Sequence, residues 1–313
     1  MRYILKKAGV LIVTLLIISI LAFLAFELIP ADPVDTILGT DYTEERAAAL
    51  RAELGLDVPP VERYFNWLLG FFGGDLGISY GYRMPVTELL EGKVLNTACL
   101  SAVAFLLVII ISIPVGIFLA RFRNGIIDRI FSIFNQITMS VPPFFIGVLF
   151  AGIFGLGMKL FIVGDFVSID ENPAKFFTYI FFAALSIALP KSAMTVKLLR
   201  SSIINEMGQD YVRTARSRGN SPSGILWRHV LRNSLLPVIT FLAVTLADIV
   251  AGSIIIEQIF TVPGIGRMLI MSIGNRDYPV VLAIIMMISA VVLFVNFLAD
   301  VAYQYVDPRI RLK

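Results

Sequence analysis

Six runs of roughly twenty apolar residues, each nearly free of charge, decide what this chain can fold into. A helix rises about 1.5 Å per residue, so one such run crosses a hydrocarbon core about 30 Å thick. The runs are 9–29, 100–120, 137–158, 176–196, 235–256 and 280–299. Their only Asp, Glu, Lys or Arg residues are Glu27, near the end of the first run, Lys191 in the fourth and Asp248 in the fifth. Charged residues make up 16% of the chain, against about 25% in soluble domains, so the charge is confined to the connectors. Short alternating strands of the kind a membrane barrel needs are absent from the pattern. The expected architecture is an all-α integral membrane protein with six transmembrane helices.

Lysine and arginine set the orientation. With the N-terminus inside, the inner segments are 1–8, 121–136, 197–234 and 300–313. They hold more than half of the chain's 26 basic residues, including Arg2, Lys6 and Lys7, then Arg121, Arg123 and Arg129, and finally Arg309, Arg311 and Lys313. Segment 30–99, on the other side, carries more acids than bases. Both termini are therefore expected in the cytoplasm. The first run is longer than a signal-peptide core and leads into Pro30-Ala31-Asp32-Pro33 without a small-residue cleavage site, so it is expected to be a retained helix.

Several function classes are disfavoured by composition. One cysteine, Cys99, and one histidine, His229, allow neither an intrachain disulfide nor a multi-histidine metal site. The net charge of +3 is explained by topology, and no groove-reading motif accompanies it, so no nucleic-acid partner is expected. There is no phosphate-binding G-x-x-x-x-G-K-S/T loop, so ATP would have to act through other subunits. Two isolated charges within the spans do not make a catalytic cluster, and neither a filter-like segment nor a charge ring favours an ion channel.

Two connectors are long. Segment 30–99 contains a helical stretch from Thr43, a capping residue followed by Glu44 and Glu45, to a stop at Gly55. Tyr64, Phe65, Trp67, Phe71 and Phe72 follow and suit a membrane surface. Segment 197–234 reads as a helix, a glycine stop and a second helix leading into the fifth span. Asp210 is the expected cap of the first helix, Gly219 its left-handed stop, Ser221 the cap of the second, and Pro222 its first residue. Ala215 and Gly219 share a small-residue face bordered by Arg213, Arg216 and Arg218. By its physics alone this helix suits either a docking partner or anionic lipid headgroups.

Tyr211-Val212-Arg213-Thr214-Ala215-Arg216-Ser217-Arg218-Gly219 closely resembles the Y-V-R-T-A-R-x-x-G form of the EAA loop in permeases of bacterial ABC importers. It departs from the general pattern: Thr214 and Arg216 stand where that pattern has Glu and Ala, and the hydrophobic-proline end Leu235-Leu236-Pro237 lies further from the glycine. Gly74-Asp75-Leu76-Gly77-Ile78-Ser79, Val141-Pro142-Pro143-Phe144-Phe145, Glu257-Gln258-Ile259-Phe260, Pro263-Gly264-Ile265-Gly266-Arg267, Asn275-Arg276-Asp277-Tyr278-Pro279 and Asp307-Pro308-Arg309-Ile310-Arg311 are similar to the same branch. That branch is the first, B-type permease of dipeptide, oligopeptide and nickel importers, and the likeness runs almost end to end.

The resemblance implies a type I importer fold, with a permease domain over 97–299, a large extracytoplasmic loop and a cytoplasmic coupling helix. It implies an inner-membrane transport subunit, not an enzyme, that binds no cofactor itself. ATP and Mg would sit on two partner ATPases, beside a second homologous permease, an outer solute-binding protein and membrane lipid. Tyr211, Arg213, Thr214, Ala215, Arg216, Arg218 and Gly219 would couple to the ATPase. Peptide, nickel and other small solutes remain open as cargo.

Ionisable residues inside a span mark a function or a pair. Asp248 lies near mid-bilayer, and Lys191 is about 8 Å nearer the inside at helical rise. A structural ion pair is the preferred expectation, with a pathway role as the alternative. Pro142 and Pro143 are expected to kink the third span and could border the pathway.

Overall fold

The computed structural model describes residues 2–28 and 33–306. In chain order the helices are α1 (Arg2–Glu27), α2 (Pro33–Leu38), α3 (Glu44–Glu53), α4 (Pro60–Gly73), α5 (Val86–Leu89), α6 (Lys93–Arg121), α7 (Ile126–Ser140) and α8 (Pro143–Phe150). A π-helical turn (Ala151–Gly157) follows, then α9 (Pro173–Glu206), α10 (Asp210–Ser217) and α11 (Pro222–Ile225). A second π-helical stretch (Leu226–Val230) leads into α12 (Leu231–Ile259), and α13 (Ile265–Gly274) and α14 (Tyr278–Val306) complete the series. The only strand-like feature among the described residues is an isolated bridge between Ile78 and Pro85.

Among the described residues, five helical stretches are long and apolar enough to cross a membrane: Ile4–Glu27, Lys93–Arg121, Pro173–Glu206, Pro222–Ile259 and Tyr278–Val301. Helix α7 and α8 with its π turn, two pieces bent by 98°, make a sixth if the pair is counted as one span. The expected third span, 137–158, thus contains a break. Val141 and Pro142 are both extended, because a residue before proline is pushed out of the helical region. Pro143 then starts α8 at the position where a missing N–H costs nothing.

The chain divides into two compact units. The first comprises 1–97 and 263–294. Here α4 lies on α1: the Ser19 and Tyr64 hydroxyls meet at 2.8 Å, Phe23 packs edge-on to Tyr64, and Arg63 pairs with Glu27. Phe65, Leu69 and Phe72 on the other side of α4 stay exposed. A small cluster of Val34, Ala47 and Leu50 ties α2 to α3. Thr43 caps α3 by accepting from the Arg46 amide, and Gly55, at φ +67°, follows its end.

A third cluster joins α5, α13 and the start of α14 through Val86, Leu89, Leu90, Ile265, Met268 and Val280. Beside it, the buried Asp277 carboxylate accepts from the Ser79 hydroxyl and from the Tyr80 and Gly81 amides, fastening segment 79–81 to the start of α14. Burial pushes the Tyr80 phenol up to about 12, so it stays protonated.

The second unit comprises 98–262 and 295–313. Its axis is α9, capped by Asn172, whose side chain accepts from the Lys175 amide, with Pro173 behind it. Over the apolar window of α9 67% of residues are buried, against 33% for the stretch containing α12, so the other helices pack around α9. At about 1.5 Å per residue its 34 residues reach about 51 Å, longer than the hydrocarbon core. Its final turns therefore extend past the apolar run 176–196 into the expected connector. Small residues set the closest approaches: a Cβ on Gly116 would stand 2.9 Å from the Leu199 side chain, and one on Gly147 3.2 Å from Ile256.

Candidate docking helix and intramembrane charge pair

Helix α10 forms from the segment that the sequence singles out, with differences at its ends. Gln209, in extended conformation, is the N-cap, and its side chain makes no capping bond. Asp210, the expected cap, is the first helical residue instead, and its exposed carboxylate lies 3.5 Å from Arg213. The chain turns out of α9 through Met207 and Gly208, and Gln209 takes the cap position. Gly219 is left-handed at φ +78°, and the Asn220 amide returns to the Ala215 carbonyl at 3.3 Å, closing the helix end. Ser221 caps the next helix by accepting from the Gly224 amide, with Pro222 in its first turn.

The two faces of α10 differ from the small-face expectation. Val212 and Ala215 are buried in the core of the second unit. Ala215 is thus packed against the chain's own interior. The exposed surface is made by Arg213, Thr214, Arg216, Ser217, Arg218 and Gly219. A Cβ on Gly219 would meet nothing within 4 Å, so glycine is required there by backbone conformation and not by crowding. Tyr211 anchors the helix start by donating to the Glu206 carboxylate. Burial, reinforced by that carboxylate, holds its phenol above the usual value.

Lys191 on α9 and Asp248 on α12 meet at 2.8 Å, so the lysine side chain bridges their offset in height. The Asp248 side chain is 55% exposed on this chain and the Lys191 side chain 21%. The pair therefore lies at the surface of the subunit, inside the apolar stretches of both helices. Elsewhere on α9, the Asn135 amide donates to the Ala193 carbonyl at 2.8 Å, and Lys197 reaches Gln136 at 3.4 Å. Pro142 and Pro143 sit at the α7–α8 break.

A further ion pair was not legible in the sequence. Arg200 donates two bonds to Asp128, at 2.8 and 2.7 Å, and the Asn124 amide adds a third. The carboxylate is almost fully buried, and this two-pronged bond fixes the start of α7 against the end of α9. The partners are 72 residues apart, beyond the reach of any local pattern. The one available signal was an acid within an otherwise basic connector. Tyr179, whose hydroxyl donates to the Phe260 carbonyl and accepts from the Gly164 amide, escaped notice for the same reason. No group of three His, Cys, Asp or Glu residues suited to a metal ion occurs among the described residues.

Several long apolar helices, one of them broken, with a short amphipathic helix between α9 and α12, define a multi-pass membrane protein. Residues 112–312 match the binding-protein-dependent transport system inner membrane component family, and residues 1–101 match its N-terminal membrane component. The chain belongs to this family and is the permease component of an ABC transporter of the inner membrane. It is 32% identical to the probable peptide ABC transporter permease protein y4tP of Sinorhizobium fredii, over 99% of both chains. It is 33% identical to a putative peptide permease protein of Brucella suis, over 100% of this chain and 99% of the other. The glutathione transport system permease protein GsiC of Salmonella choleraesuis is 32% identical over the full length of both. The resemblance to the dipeptide and oligopeptide branch seen in the motifs therefore holds. The motif at 307–311 lies outside the described residues.

Proposed function

We propose that this chain is the first permease subunit of an ATP-driven importer of di- and oligopeptides, and that α10 is its coupling element. The observation that carries the proposal is the build of α10. It is rooted in the subunit core by Val212, Ala215 and Tyr211, while Arg213, Thr214, Arg216, Ser217, Arg218 and Gly219 are exposed. A helix anchored on one face and free on the other can pass a push from an ATPase into α9 and α12. ATP and Mg belong to two such ATPases in this reading, and the chain binds no cofactor of its own. A second homologous permease completes the pathway, and a solute-binding protein delivers cargo from the side of segment 30–99.

The Lys191–Asp248 pair serves as a structural tie between α9 and α12. Its half-exposed carboxylate calls for cover by the second permease, since a charge facing lipid is costly. Peptide cargo is favoured over nickel by the names of the full-length relatives; glutathione is itself a short peptide. The test is uptake by the complete complex in proteoliposomes, with its own binding protein. Labelled di- and oligopeptides should accumulate in an ATP-dependent manner. Uptake of nickel ions with no uptake of peptide would overturn the cargo assignment and leave the coupling proposal standing.

A further inference from the structure

We infer that the second unit holds a binding site for the phosphodiester headgroup of an anionic phospholipid, beneath α10. A cavity of about 530 Å³ opens there, and Arg121 at the end of α6, Arg123 in the following turn and Arg216 of α10 all line it. No acidic residue lines it. None of the three guanidiniums makes an ion pair within the described residues; Arg121 lies over the Phe122 ring at 5.9 Å. The carboxylates of the adjoining elements are engaged elsewhere: Asp128 with Arg200, Glu206 with Tyr211 and Asp210 with Arg213. Three unneutralised cations around one concavity leave a strong preference for an anion.

The remaining wall narrows the choice of anion. Ile203, Ile204 and Leu226 are apolar, and Met207 joins them. The cavity lies where the apolar stretch of α6 ends and the one beginning at Pro222 starts. A free phosphate would leave that apolar wall wet. A lipid places its phosphate among the guanidiniums, which match it in paired hydrogen bonds, and lays its glycerol and first methylenes along the isoleucines. Basic pockets between membrane helices take acidic headgroups in this way. Because Arg216 belongs to α10, an occupied site would brace that helix through one of its exposed side chains. The assignment does not depend on the cargo or on what docks to α10.

The test uses the purified full-length chain in non-ionic detergent, offered equal amounts of dioleoyl phosphatidylglycerol and dioleoyl phosphatidylcholine. Native mass spectrometry reads the retained lipid. Retention of phosphatidylglycerol by the wild type is expected, and in Arg121→Gln/Arg123→Gln/Arg216→Gln it should weaken roughly a hundredfold, about fivefold per guanidinium. The control Arg129→Gln/Arg228→Gln/Arg232→Gln, with the same charge loss outside the cavity, should retain it. Ile204→Trp, which fills the apolar wall and keeps every charge, should also lose it. Equal loss in the pocket and control variants would mean diffuse attraction and overturn the site, as would unchanged retention in the pocket variant. Stabilisation of the wild type by inorganic phosphate alone, without preference for phosphatidylglycerol, would overturn the lipid in favour of a soluble anion. If unchanged lipid retention in the pocket variant were accompanied by loss of ATPase binding in the assembled complex, the arginines would belong to an acidic protein surface instead.

Discussion

At the scale of single residues, Gly219, Asp277 and the Lys191–Asp248 pair each act through a different physical cause. Gly219 acts through backbone conformation: its φ is +78° and open space surrounds the missing Cβ. Gly219→Val forces a β-branched residue into the left-handed region, at a cost of about 1–3 kcal/mol. ATP-dependent uptake should fall sharply in proteoliposomes, with near-normal abundance. Gly219→Asn, which tolerates that conformation, should keep most of the activity. A Gly219→Asn variant as inactive as Gly219→Val would show that space, not conformation, is what the site needs.

Asp277 acts through charge-assisted hydrogen bonds from Ser79, Tyr80 and Gly81. Asp277→Asn removes the charge and turns an N–H₂ toward donors, which should cost about 1.5–3 kcal/mol. Faster hydrogen exchange at the Tyr80 and Gly81 amides is the expected sign, and unchanged protection would refute it.

In the Lys191–Asp248 pair, removing either partner strands a charge in an apolar span. Lys191→Met and Asp248→Asn should each lower the melting temperature of the purified complex. Together they should recover most of it, along with uptake. Recovered stability without recovered uptake would assign Asp248 to the pathway.

At the scale of elements, legibility followed locality. Helix α3 announced itself through Thr43, Glu44, Glu45 and Gly55, and α10 and α11 through Gly219, Ser221 and Pro222, because caps and stops are written within a few residues of the ends they make. The end of α9 was hidden for the opposite reason. Hydropathy drops after Val196, but Leu199 and Ile203 continue a buried stripe at helical spacing, so the helix runs on to Glu206. The α7–α8 break was half visible. Pro142-Pro143 marked a kink, but a hydropathy window averages over a bend of 98°. The buried Arg200–Asp128 bond, which packs α7 on α9, is a tertiary fact that no local pattern carries. Within the candidate site, the residues of α10 were legible and the direction in which Ala215 faces was not, because the faces of a short helix are assigned by what packs beneath it. Breaking the buried bond should be costly: Asp128→Asn leaves Arg200, itself partly exposed, half-paired and should destabilise the complex by about 1–3 kcal/mol. A melting curve that superimposes on the wild type would show that the bond is dispensable.

At the scale of the whole molecule, orientation is the property that the charge distribution argues and that side-chain contacts leave open. Arg121, Arg123 and Arg129 follow the second apolar run; Lys197, Arg200, Arg213, Arg216, Arg218, Arg228 and Arg232 lie between the fourth and fifth. Segment 30–99 is acidic on balance. Basic residues near the ends of spans resist translocation, so the arginine-rich connectors should lie in the cytoplasm and segment 30–99 outside. The same assignment puts α10 where an ATPase could reach it and segment 30–99 where a solute-binding protein could, so one wrong sign would undo both proposals together. Glu62 on α4 and Ser217 on α10 are both exposed and suit a labelling test. In a Cys99→Ser background, Glu62→Cys should react with an impermeant maleimide added to intact spheroplasts. Ser217→Cys should react only after the membrane is permeabilised. The reverse pattern would invert the orientation and with it the reading of α10 as a coupling helix. Labelling of both sites in intact spheroplasts would mean that the number of crossings between them is even, which the six apolar stretches do not permit if the bent pair α7–α8 crosses once.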